Sequence, residues 1–198
     1  MRFVSVFAAT LLFATAAFAH TGGHGAAGTS GLGYGFLHPF GGLDHVLAMV
    51  GVGLFASFLG ARALWLVPAA FVAMMAVGGV LGFAGLGIPF VEAGIALSIV
   101  VIGGALALGR SLPVAAAMAL VGFFAVFHGF AHGAEMPATA SGLAYGLGFL
   151  VATALLHGAG LALGFGLDKT AKQAARRFAR LGGGVVSLCG LAILAGVL

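Results

Sequence analysis

Long apolar stretches, separated by short polar or glycine-rich breaks, run the length of the chain. Phe3 to Phe18 is the first, and six follow it: about Gly33 to Leu59, Ala63 to Phe83, Pro89 to Leu108, Pro113 to His132, Ser141 to Leu167 and Leu181 to Leu198. About 20 helical residues cross the hydrocarbon core of a bilayer, so each of the six predicts a transmembrane helix. The first stretch is shorter, follows Arg2, and ends in Ala17-Phe18-Ala19, the small-x-small pattern that a signal peptidase cuts. Residues 1–19 therefore read as a cleaved signal peptide, with His20 as the mature N-terminus. The expected fold class is all-α: one polytopic membrane domain, residues 20–198, of six transmembrane helices.

The breaks have local causes. Pro89 suits the start of the third helix, Ser111 and Pro113 that of the fourth, and Ser141 the cap of the fifth. Pro68 marks a kink site in the second. Gly78 with Gly82, Gly142 with Gly146, and Gly160 with Gly164 form small-x-x-x-small faces on which helices approach closely. The first span is too long for one simple helix. Pro39 lacks an N–H and Gly41-Gly42 permits unusual dihedrals, so this span is expected to break near Pro39-Gly42, with regular helix resuming near Leu43.

Composition agrees with a lipid solvent: 62% of the 198 residues are hydrophobic, only 6% are charged, and 36 are glycine. A soluble domain carries about a quarter charged residues. The basic residues are scattered between apolar runs, which argues against nucleic acid as a partner and makes charge a report of orientation. An exported N-terminus makes the first, third and fifth connections cytoplasmic. Arg62 lies in the first, Arg110 in the third, and Lys169, Lys172, Arg176, Arg177 and Arg180 in the fifth, whereas the second and fourth hold none. The chain is thus expected in a bacterial inner membrane, multi-pass, with both mature termini periplasmic. Cys189 stands alone, which excludes an intrachain disulfide and reads as packing. No G-x-x-x-x-G-K-[ST] phosphate loop is present.

Polar residues inside apolar runs carry the candidate chemistry. His38-Pro39-Phe40-Gly41-Gly42-Leu43-Asp44-His45 is the densest group, with Met49 one turn below His45. Asp44 alone would read as a helix-start acid, but two adjacent histidines favour metal ligation. In the fourth span His128, His132 and Glu135 follow an i, i+4, i+7 spacing and share a face if the helix persists past Gly133. The predicted topology puts both groups near the outer boundary. His157 lies about 24 Å along the fifth helix at ~1.5 Å per residue, either as a second metal station or as a core histidine. His20 and His24 offer weak chelation before the membrane, or belong to a featureless leader. Glu92 reads first as a helix-start acid.

His38-Pro39 followed by Gly42, Asp44-His45, Met49 and Val50-Gly51 resembles the signature of the HupE/UreJ family of nickel and cobalt permeases. Phe127-His128-Gly129, Ala131-His132-Gly133 and Glu135 resemble its second block. The likeness covers essentially the whole chain. It implies permeation of Ni²⁺, sometimes Co²⁺, with His38, Asp44, His45, His128, His132 and Glu135 as the residues that carry the ion. A different nickel and cobalt transporter family spaces its histidine four residues from Asp-His. This chain has five.

Imidazole and carboxylate without thiolate suit Ni²⁺, Co²⁺ or Zn²⁺, and Met49 and Met136 leave only a small opening for copper. The expected protein is no enzyme and holds no permanent cofactor. Its partners are membrane lipid and the transported ion, with a homo-oligomer left open, and its mode is a uniporter or channel. Rival readings are a membrane metal-binding accessory or sensor, and an electron-transfer protein holding haem b between histidines.

Overall fold

A computed structural model of the chain describes residues 31–109, 111–136, 141–168 and 172–198. The expected signal peptide, His20, His24, Arg110 and Lys169 lie outside the described residues. Among the described residues the elements are α1 (Gly31–Leu37), a 3-10 turn (His38–Gly41), α2 (Leu43–Leu59), α3 (Ala63–Phe83), α4 (Val91–Leu108), α5 (Val114–Ala134), α6 (Gly142–Asp168) and α7 (Lys172–Leu194), with no strand. Five helices are long and apolar enough to cross a membrane, or six spans if α1 and α2 count as one broken span. The chain is a multi-pass membrane protein.

The break in the first span falls where Pro39 and Gly42 predict it. Pro39 stands at the start of the 3-10 turn and Gly42 is extended at φ −115°, ψ 126°, so the hydrogen-bond ladder is interrupted and α1 and α2 meet at 86°. Pro39 is buried at this corner, while Leu37, Phe40 and Gly41 beside it are exposed. α1 lies along the first turns of α6, where Gly35 sits against the Tyr145 carbonyl, and α2 lies along its later turns, where Gly53 sits against the His157 carbonyl.

Glycine sets the helix contacts, as lipid supplies no hydrophobic force between helices. α3 and α5 run side by side in the same direction. Gly78 and Gly82 take the carbonyls of Val126 and Phe130, and in return Gly129 and Gly133 take those of Met75 and Gly79. Gly160 and Gly164 likewise press on Val50 and Ser57 of α2. The third expected pair behaves otherwise: Gly142 meets the side-chain ends of Met136 and Phe83, and nothing lies within 4 Å of a Cβ on Gly146. Small residues at that spacing mark a helix face but not what faces it.

α4 and α7 pack antiparallel. Ser187 Oγ donates to the Val100 carbonyl at 3.0 Å, and Arg180 Nε donates to the Ala107 carbonyl at 2.9 Å, closing the C-terminal end of α4. α7 begins at Lys172, well before the apolar run expected from Leu181, and ends at Leu194 rather than Leu198. Lys, Gln, Ala and Arg are good helix formers, so the helix extends through the basic segment, whereas hydropathy marks only its apolar length. Pro68 lies inside α3, which remains continuous from Ala63 to Phe83. Pro113 is the N-cap of α5. The shared core is apolar, built on Phe55, Phe71, Met75, Ile102 and Val121, while large side chains such as Trp65, Phe90 and Leu143 are exposed at the lipid-facing surface.

Candidate metal centre

Helix α5 persists through Ala134, with Glu135 at its C-cap in helical geometry (φ −88°, ψ 0°). The i, i+4, i+7 face is therefore intact. Each histidine is followed by a glycine, and the two point different ways around the helix. Gly129 and Gly133 press on the α3 backbone, and the preceding His128 and His132 turn instead toward the corner between α1 and α2. The repeated His-Gly pair is a packing device and a donor pair at once.

Two groups of donors form, joined at His132. In the first, His38, His132 and Glu135 each bring one ligand atom within 4.8 Å of the others, with His38 Nε2 3.4 Å from Glu135 Oε2. Donors bound to one ion at ~2.1 Å stand up to about 4.2 Å apart, so small side-chain movements would close this set. The second group faces the first: the His45 ring lies 4.3 Å from that of His132 and 5.1 Å from that of His128, centroid to centroid. His38 approaches His132 edge-on at 4.8 Å. Exposure falls from 55% at Glu135 through 23% at His38 and 12% at His45 to 5% at His132 and 0% at His128. The donors thus form a file leading from an open mouth into the interior.

Hydrogen bonds determine which nitrogen two of the imidazoles present. Asp44 Oδ1 accepts from the His45 backbone N–H at 2.9 Å and from His45 Nδ1 at 2.8 Å, which leaves the lone pair on Nε2. Asp44 therefore holds His45 in orientation, the carboxylate-histidine arrangement common behind metal ligands. Gly42 makes room for this pair, since a Cβ there would come 2.9 Å from His45 Nδ1. Ser98 does the same for His128. Its single hydroxyl proton goes to the Ile95 carbonyl at 2.6 Å, so at 2.9 Å it accepts from His128 Nε2–H and leaves the lone pair on Nδ1. His45 Nε2, His128 Nδ1 and both nitrogens of His132 are buried without a hydrogen bond to any described residue.

The six expected residues are thus brought together, with Asp44 placed behind His45. Met49 is fully buried in the apolar core, Glu92 is exposed in the first turn of α4, and His157 stands apart, beyond Phe71. Ser98 is a residue that sequence reasoning missed. It is the only hydroxyl in α4, a signal that was available. Tyr34 and Tyr145, the chain's two tyrosines, were missed as well; they meet at 6.1 Å and flank His38 at 6.0 and 5.9 Å. Phe149 lies 4.0 Å from His132.

The family model for the HupE / UreJ protein matches residues 8–193. The chain is also 46% identical over 191 residues to Protein HupE of Rhizobium leguminosarum bv. viciae, covering 95% of each chain. No solved structure matches it. A match along almost the full length, with the histidine and acid blocks brought to one place by the fold, establishes that the chain belongs to the HupE/UreJ family, a family generally associated with nickel and cobalt transport.

Proposed function

We propose that the chain takes up Ni²⁺, and also Co²⁺, across the bacterial cytoplasmic membrane as a uniporter or channel-like permease, entered from the periplasm at the Glu135 mouth. One observation carries the reading: four buried imidazole nitrogens make no hydrogen bond to the described protein, and they belong to the rings of His45, His128 and His132, with the His45 ring 5.1 Å from that of His128 and 4.3 Å from that of His132. A buried polar group left unsatisfied costs about 1–3 kcal/mol, and a coordinated ion offsets that cost. Neutral imidazole with carboxylate suits borderline divalent ions. Glu135 and His38 would meet the ion at the surface, His132 would pass it on, and His45 and His128 would hold it with their lone pairs aimed by Asp44 and Ser98.

The membrane potential supplies the drive, since an inside-negative membrane favours inward movement of a divalent ion by about 4.6 kcal/mol per 100 mV. No proton coupling is required. Haem is disfavoured by geometry, because imidazoles in edge contact at 4.3 and 5.1 Å leave no slot for a macrocycle between them. A protein that binds the ion without moving it is separated by Ni²⁺ flux into proteoliposomes. The direct test is nickel and cobalt accumulation in cells expressing the parent, His45→Ala and Glu135→Ala at comparable levels. Both variants are expected to lose roughly 10–100-fold in uptake, as ligand shells typically do. Equal accumulation by all three removes the site assignment, and uptake that stops when the proton gradient alone is collapsed removes the uniporter.

A further inference from the structure

His157 is placed as no packing residue should be. It is 2% exposed, and neither of its nitrogens makes a hydrogen bond to a described residue. An apolar side chain of similar shape would fill the space without leaving two polar atoms unsatisfied, each at about 1–3 kcal/mol. Depth separates it from the donor file. His157 lies about 22 Å along α6 from Gly142, whereas His128 lies about 9 Å back from the Ala134 end of α5, at ~1.5 Å per residue. His157 is thus the deeper of the two, and the contacts of the Phe71 ring with both imidazoles, at 5.7 and 5.1 Å, keep them within about 11 Å of each other.

Phe71 stands between them. Its ring lies 5.7 Å from that of His128 and 5.1 Å from that of His157, the latter at an interplanar angle of 89°. One turn along α3 from Phe71 is Met75, and one turn along α6 from His157 is Thr153. Thr153 Oγ1 donates to Met75 Sδ at 3.8 Å, both residues being buried. Met75 and Thr153 lie one turn toward the mouth from Phe71 and His157, with Met75 level with Gly129, so the His157 imidazole stands beyond the ring with no carboxylate beside it.

We propose that Phe71 partitions the metal path and that His157, beyond it, is the nitrogen donor of a second, charge-free station for the same borderline divalent ion. The inference rests on the uptake reading above. An imidazole nitrogen suits Ni²⁺ and Co²⁺ and is a poor partner for Mg²⁺ or Ca²⁺, which favour oxygen. A neutral station holds the ion more weakly than one with acids, and conduction needs binding weak enough to let the ion leave. An apolar constriction between two stations is a known way to gate a pore by excluding water.

The test titrates purified protein with Ni²⁺ by calorimetry and follows Ni²⁺ flux in proteoliposomes. His157→Leu removes both nitrogens and keeps apolar packing, and His157→Gln serves if that variant does not fold. The tighter binding event is expected to stay within about 2-fold, as for distant independent sites. A weaker second event disappears, and flux falls about 10-fold or more. Unchanged stoichiometry and flux in a folded variant overturn the station. Phe71→Ala, with Phe71→Leu as the milder form, is expected to keep both binding events and raise flux. Flux at or below the parent's overturns the partition. A parent that binds Ni²⁺ but carries no flux sinks the uptake reading, while loss of the second event in His157→Leu still judges the station separately.

Discussion

Hydrogen bonds at single side chains would decide how the proposed centre binds. Ser98 spends its hydroxyl proton on the Ile95 carbonyl and so can only accept from His128. Ser98→Ala removes that acceptor, frees the imidazole to rotate and change tautomer, and is expected to weaken Ni²⁺ binding by about 10-fold with the fold intact. Ser98→Thr restores most of it, and calorimetry on the two proteins checks both. Protons compete for the same lone pairs, so Ni²⁺ affinity is expected to fall as pH falls. Affinity that does not fall with pH would remove imidazole from the ligand set. His38, His45, His128 and His132 were legible in the sequence because a titratable group stands out in an apolar run. Ser98 and Phe71 were less so. A helical serine ordinarily bonds its own backbone, as this one also does, and Phe71 is one of 18 phenylalanines.

At the level of the helix, spacing foretold more than packing did. The face shared by His128, His132 and Glu135 followed from the helical repeat once α5 was known to continue past Gly133. It continues because α3 covers the glycines: Gly129 and Gly133 rest on the Met75 and Gly79 carbonyls. Gly133→Val is expected to push α5 off α3, lowering stability by about 1–3 kcal/mol and weakening Ni²⁺ binding together. Gly146→Val is the control, since nothing lies within 4 Å of a Cβ there, and should leave the unfolding temperature and binding unchanged. Thermal unfolding with and without Ni²⁺ reads both. The corner between α1 and α2 was legible from Pro39 and Gly42, whereas its 86° angle was not, because helices that lie elsewhere in the chain set it.

In the whole molecule α3 runs parallel to α5, α2 parallel to α6 and α4 antiparallel to α7, the pattern of spans that alternate in direction. Arg62 and Arg180 then fall at the end away from Glu135, in keeping with a cytoplasmic side there. A C-terminal alkaline phosphatase fusion is expected to be active and a C-terminal green fluorescent protein fusion dark. The reverse result would invert the topology and turn the donor file toward the cytoplasm.

The sequence alone determined that the chain crosses the membrane, where the first span breaks, which end carries positive charge and which residues are candidates for the chemistry. In lipid each helix must satisfy its own backbone, so these are local properties written in consecutive residues. Only the tertiary structure decided that Asp44 and Ser98 aim imidazoles, that His132 joins two donor groups, and that Phe71 stands between His128 and His157. Those outcomes depend on how closely distant helices approach. Contacts such as Gly129 on Met75 and Gly53 on His157, made between residues far apart in the chain, set that approach, and no local pattern encodes them.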